Sequence, residues 1–172
     1  GFLFHLLGGF YTYKLAKRLY NHETGLIAAL IYVTSLHLML SAMDIRAEAY
    51  LLGQIMPACY YWLSYDRTPR LKALILASVF TAMAMMTKGI FVVVTIFSGL
   101  VASWIYTRQF SKIISPRWLL AYCLTLVFIS PEIIALYLQF DSQPNKVIFG
   151  QTHVSGIAWY FWGSQFGRFF NS

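Results

Sequence analysis

The chain has 172 residues, of which 59% are hydrophobic, 18% aromatic and only 11% charged, with a mean hydropathy of +0.61. Soluble domains carry about 25% charged residues, so this composition excludes an ordinary soluble domain and indicates an all-α, polytopic membrane helix bundle. The net charge of +7 does not point to nucleic acid, because nine of the thirteen Lys and Arg residues fall in three short clusters that membrane topology and anionic lipid headgroups explain.

Taken in chain order, residues 1–13 are apolar but shorter than the roughly 20 residues a span needs. They read as the inner end of a helix that exits into the first basic cluster, Lys14, Lys17 and Arg18. The chain starts at Gly1 and stops after Arg168-Phe169-Phe170-Asn171-Ser172 without a closing signal, so it reads as an internal piece of a larger multi-pass protein. After the polar turn Asn21-His22-Glu23-Thr24-Gly25, residues 26–43 form the first complete span, running outward. The turn Asp44-Ile45-Arg46-Ala47-Glu48 precedes a return span over residues 49–65, where Pro57 predicts a kink. The inner turn from Asp66 leads into the second cluster, Arg67, Arg70 and Lys72.

Residues 71–87 go out and residues 90–106 come back, joined only by Lys88-Gly89. Each has about 17 residues, the short end of the spanning range. The third cluster, Arg108, Lys112 and Arg117, precedes a last span over residues 118–138, with Ser130-Pro131-Glu132 as an interruption near its outer end. From residue 139 onward Gln, Asn, Ser, Gly and aromatics replace the aliphatic run. Residues 139–172 therefore read as an outer segment at the membrane interface, folded back over the bundle. Short basic loops stay cytoplasmic, which places the three clusters inside and the acidic turn, the Lys88-Gly89 turn and this tail outside. Trp62, Tyr65, Trp104, Tyr106 and Trp118 lie near span ends, as an interfacial aromatic belt would.

The candidate chemistry gathers on the outer side. Asp44 and Glu48 are four apart and share a face if a helix begins there. Helix capping by Asp44, with Glu48 in the first turn, competes with a substrate role beside Arg46. Lys88 sits on the side that the positive-inside rule disfavours; it is either a snorkelling turn residue or a cation for the phosphate of a lipid-linked substrate. Glu132 after Pro131 is an interfacial cap or a substrate contact. Cys59 and Cys123 read as small core hydrophobes without a disulfide, His37 as a core histidine, His153 as solvated, and His5 and His22 carry no signal. No GxxxxGK[ST], GxSxG, HExxH or CxxC motif is present, so nucleotide hydrolysis, serine hydrolysis and zinc chemistry lack support.

The run Ala82-Met83-Ala84-Met85-Met86-Thr87-Lys88-Gly89 resembles the small-apolar, Thr-Lys-Gly turn of family 39 glycosyltransferases. These are relatives of dolichyl-phosphate-mannose protein mannosyltransferases and of bacterial aminoarabinose transferases that modify lipid A. Tyr13-Lys14-Leu15-Ala16-Lys17-Arg18-Leu19-Tyr20 resembles the basic inner loop of that family. Residues 41–52 resemble its outward acidic turn, with Glu48 about where relatives carry Asp. The stretch from Ser130-Pro131-Glu132 to Gly167-Arg168-Phe169-Phe170 resembles the outer segment of its bacterial members. The resemblance implies the GT-C fold and transfer of a sugar from a polyprenyl-phosphate donor to a lipid or protein acceptor. It further implies a bacterial inner membrane with the site facing the periplasm. The family's principal acidic motif lies in the first outer loop, ahead of Gly1. That leaves Asp44 and Glu48 a supporting catalytic role, with Lys88, Arg46, Glu132 and Arg168 as substrate-binding residues. A divalent cation held by Asp44 and Glu48 through oxygen ligands is a further expectation. The other class in play is a transporter or flippase of a lipid-linked sugar, which should place ionisable residues in mid-span; here they lie at the outer ends.

Overall fold

The structure is a computed structural model that describes residues 1–44, 46–143, 145, 147, 152–164 and 167. The described residues form helices and turns: α1 (Phe2–Leu19), α2 (His22–Thr34), α3 (Leu36–Met43), α4 (Ala47–Arg67), α5 (Leu71–Lys88), α6 (Val92–Tyr106), α7 (Pro116–Leu136) and the short α8 (Gly156–Ala158). Wide-turn extensions follow α7 over Tyr137–Asp141 and α8 over Trp159–Gly163. Arg168 and Ile45 lie outside the described residues.

By length and apolarity, two helical stretches can cross a membrane, Leu71–Lys88 and Pro116–Asp141, and the bent pair α2–α3 can serve as a third span. The span expected over residues 26–43 is bent: α2 and α3 meet at an angle of 54°. The break falls after the β-branched pair Val33-Thr34, where Thr34 Oγ1 donates to the Leu30 carbonyl at 2.7 Å, a back-bond that bends helices. Asn21 starts α2 by accepting from the Thr24 N–H at 2.8 Å. The first basic cluster is likewise corrected from loop to helix, since α1 continues through Lys14, Lys17 and Arg18 to Leu19. α6, with 15 residues, is short for a span.

The expected interruption at Pro131 does not occur, and α7 runs continuously from Pro116 to Leu136. A proline removes the N–H that would reach the carbonyl four residues earlier. Here that carbonyl, Val127, accepts from the Ser130 hydroxyl at 2.7 Å instead. α4 also continues through the buried Pro57.

α4 is the central helix, packed against α1 on one side and α5 on the other, while α7 lies against α5. The α1–α4 crossing depends on Gly53: a Cβ there would stand 2.5 Å from the Phe4 carbonyl oxygen. The core differs from expectation. Trp62, Tyr65, Trp104 and Trp118 are buried rather than forming a belt at the membrane surface, and only Tyr106 of the five is exposed. Their rings contact one another between α4, α6 and α7, with Trp104 and Trp118 centroids 4.8 Å apart. Buried indole N–H groups usually find partners, and two of the three do here, while Trp118 Nε1 has none among the described residues. Trp62 donates to Thr81 Oγ1 at 2.8 Å and Trp104 to Asp66 at 3.3 Å. Asp66 also takes Lys112 Nζ at 3.0 Å and Arg117 at 3.6 Å, so one carboxylate ties the inner ends of α4, α6 and α7 to the loop between them.

Candidate functional site

The N-terminal end of α4 and the C-terminal ends of α5 and α7, the ends expected to face outward, border an open cavity of about 710 Å³. Thr87 and the exposed Lys88 line it from the end of α5, Ala47, Leu51 and Ile55 from α4, and Glu132 and Leu136 from α7. Trp159, Tyr160 and Ser164 of the segment after α7 also line it. The walls are apolar with a few convergent polar groups, the usual make-up of a small-molecule site.

Lys88 reaches this position because α5 ends there. Gly89 follows with φ 91°, in the left-handed region that a residue without a Cβ adopts at little cost, and its N–H bonds the Met85 carbonyl at 2.7 Å. The chain then turns directly into α6. Glu48 stands in the first turn of α4, where the helix dipole favours a carboxylate, and its Oε1 lies 3.8 Å from Lys88 Nζ. Both side chains are substantially exposed, 38% for Glu48 and 54% for Lys88, so the pair contributes at most about 1 kcal/mol.

Beneath Lys88 is a contact that the sequence did not signal. Gln54, buried in α4, accepts from Thr87 Oγ1 at 3.0 Å, and the same hydroxyl meets the Met83 carbonyl at 2.9 Å. This bond fixes the last turn of α5 against α4, and with it the base of the Lys88 side chain. A lone glutamine in an apolar run, six residues after Glu48, was the available clue.

The outer segment docks through Tyr160. Its ring packs with Ala82, Met85 and Ile129, and its hydroxyl donates to the Met85 carbonyl at 2.9 Å. Burial, together with the Glu132 carboxylate, pushes the phenol up to about 12, so it remains a donor throughout the neutral range. Asp141 organises the start of α8, accepting from the N–H groups of Gly156 and Ile157 at 3.0 and 3.2 Å and from the Ser155 hydroxyl. Sequence reading assigned no role to Asp141, Tyr160 or Gln54.

The remaining candidates divide. Asp44 does not cap α4: it ends α3, and Arg46 occupies the N-cap position without a side-chain cap bond. Asp44 and Arg46 pair with each other at 2.9 Å on the exposed surface and are not among the residues lining the cavity. Asp44 and Glu48 therefore do not share a helix face. Glu132 lines the cavity, and Arg168 falls outside the described residues. Among the described residues no three His, Cys, Asp or Glu side chains gather to hold a metal ion. His37 is exposed rather than in the core, and so is Cys123, whereas His5 is buried and stacks on Tyr32 at 5.3 Å.

The family model described as dolichyl-phosphate-mannose-protein mannosyltransferase matches residues 1–134, and the chain belongs to that family. It is a membrane glycosyltransferase of the GT-C type. No curated protein and no solved structure matches the chain.

Proposed function

We propose that this glycosyltransferase takes its sugar from a polyprenyl-phosphate donor and delivers it to a lipid or protein acceptor on the non-cytoplasmic face. The observation that carries this reading is the outer cavity, where Lys88 and Glu132 line an apolar space and Glu48 stands against Lys88. An apolar groove suits a prenyl chain, and an ammonium at its rim suits the phosphate. In transfer, an acceptor oxygen attacks the anomeric carbon and loses its proton to a carboxylate, while the bond from that carbon to the phosphate oxygen breaks. The departing phosphate gains charge, and a fixed cation stabilises it most at that point. Lys88 is that cation. Glu48 orients Lys88 or the acceptor, and the principal base belongs to the first outer loop, ahead of Gly1. A non-cytoplasmic site in a bacterial inner membrane faces the periplasm, which agrees with the three basic clusters on the opposite side. The ionisable groups of the cavity sit at one end of the helices, an arrangement that favours transfer over transport.

Lys88→Ala in the full-length protein tests this reading. A charge-assisted hydrogen bond contributes about 1.5–3 kcal/mol, so donor affinity should fall by roughly tenfold or more, with the melting temperature nearly unchanged. Unaltered donor affinity would return Lys88 to a turn residue. Glu48→Gln, which keeps the shape and removes the charge, should lower turnover with little loss of stability. Normal turnover in a destabilised protein would mean that Glu48 serves only the start of α4.

A further inference from the structure

The inner end of α1 carries a second concave site. Lys14, Lys17 and Arg18 have helical spacing that places them on one face. With Tyr13 of the same helix and Tyr60 of α4 they line a cleft of about 360 Å³. Tyr60 is twelve residues beyond Glu48 along α4, about 18 Å at the helical rise, so this cleft is separate from the outer cavity.

The three cations are held in place by neighbours. Lys14 Nζ stands 5.0 Å from the Tyr60 ring centre, 5.1 Å from Phe10 and 5.5 Å from Tyr11. Arg18 stacks 5.7 Å from Tyr60 and donates one N–H to Ser64 Oγ at 2.8 Å. Lys17 donates to the Tyr13 hydroxyl at 3.2 Å, which in turn meets His22 Nδ1 at 3.1 Å. Ring faces hold cations without neutralising them. The ion pairs formed among the described residues use Asp44, Glu48 and Asp66, and none includes Lys14, Lys17 or Arg18. Independently snorkelling side chains do not explain why three cations converge on one cleft with aromatic and hydroxyl supports.

We propose that this cleft binds a phosphate group at the inner face of the membrane. Phosphate oxygens accept charge-assisted bonds from ammonium and guanidinium groups, and the planar fork of Arg18 retains donors beyond the one given to Ser64. The basic clusters mark this end of the bundle as the headgroup level of the inner leaflet, where a phospholipid headgroup and a free phosphate are the two sources of that chemistry.

The test uses the full-length protein in nanodiscs of phosphatidylcholine, with and without phosphatidylglycerol, and in a third arm with inorganic phosphate. Native mass spectrometry reads retained phosphatidylglycerol, and thermal unfolding reads both additives. Lys14→Gln/Arg18→Gln should reduce retention about tenfold or more, while Arg70→Gln/Lys72→Gln, with equal charge removed at the same face, should not. Stabilisation by phosphatidylglycerol alone identifies a lipid headgroup; equal stabilisation by phosphate, lost in the cleft variant, identifies any phosphate. Equal losses in both double variants, or none in the cleft variant, would overturn the site. Should the double variant fail to fold, the exposed Lys17→Gln decides: retention should drop about threefold, and unchanged retention refutes the proposal.

Discussion

Tyr160 is the point at which the outer segment is fastened to the bundle, and its truncation series separates the hydroxyl from the ring. Tyr160→Phe removes the bond to the Met85 carbonyl, but that oxygen still accepts from the Gly89 N–H at 2.7 Å. No buried acceptor is orphaned, so the loss is the net value of one hydrogen bond, about 1 kcal/mol. Tyr160→Ala also removes a ring that is 5% exposed and packed on Ala82, Met85 and Ile129. Removing an aromatic side chain from such a site costs about 3–5 kcal/mol. Tyr160 is the buried side chain of this segment in the cluster with Ala82, Met85 and Ile129, so this loss acts on the docking of the segment. It should raise the population of the undocked segment by roughly two to three orders of magnitude. Hydrogen exchange over residues 156–163 measures that population directly, with sugar transfer followed in parallel. Exchange in Tyr160→Ala that matches the wild type would refute the fastening role. Rapid exchange with normal transfer would show that docking of the segment is dispensable.

Three further outcomes follow from the same contacts. Thr81→Val should destabilise the protein by about 1–3 kcal/mol, because the Trp62 indole N–H loses its partner inside the core; Thr81→Ser should retain most of the stability, and the melting temperature compares them. Asp66→Asn should cost about 2–3 kcal/mol by leaving Lys112 and Arg117 without their carboxylate, whereas Lys112→Met, which leaves Arg117 in place, should cost less. Single cysteines at the exposed positions Arg67 and Arg108 should label from one side of the membrane, and those at Arg46 and Gln143 from the other; labelling of Arg67 and Arg46 from the same side would sink the topology.

The helical class and the turn at Lys88 were legible because they depend on local pattern. Apolar runs, basic clusters and a Lys-Gly pair are properties of neighbouring residues. What escaped depends on depth and on partners remote in sequence. Trp62, Tyr65, Trp104 and Trp118 sit at span ends, where a belt and an interhelical core look alike in one dimension. Three helices bring these rings together, and the direction in which each faces decides the matter. The Ser35 break was hidden because hydropathy is continuous across it, while Thr34 spends its hydroxyl on the backbone. Asp44 failed as a cap because α4 begins at Ala47, which puts Arg46 at the N-cap position, and Asp44 pairs with Arg46 instead. The Gln54–Thr87 bond joins positions 33 apart, and no local signal could pair them.

The weakness of the Lys88–Glu48 contact bears on how the outer cavity would work. A buried, well-formed ion pair would hold Lys88 against any competitor, since separating buried partners costs about 3–5 kcal/mol. This pair is 3.8 Å long and open to solvent, so separating it costs at most about 1 kcal/mol. On the proposed reading, a donor phosphate would offer Lys88 a charge-assisted bond of about 1.5–3 kcal/mol and so outcompete Glu48. Donor binding would thereby release the Glu48 carboxylate near the acceptor, while the Gln54–Thr87 bond keeps the end of α5 where it is. Glu48→Gln then has two effects of opposite sign. Donor affinity should rise slightly, because the Glu48 carboxylate no longer competes for Lys88, while turnover falls. A variant in which affinity and turnover fall together would place Glu48 in direct contact with the donor instead.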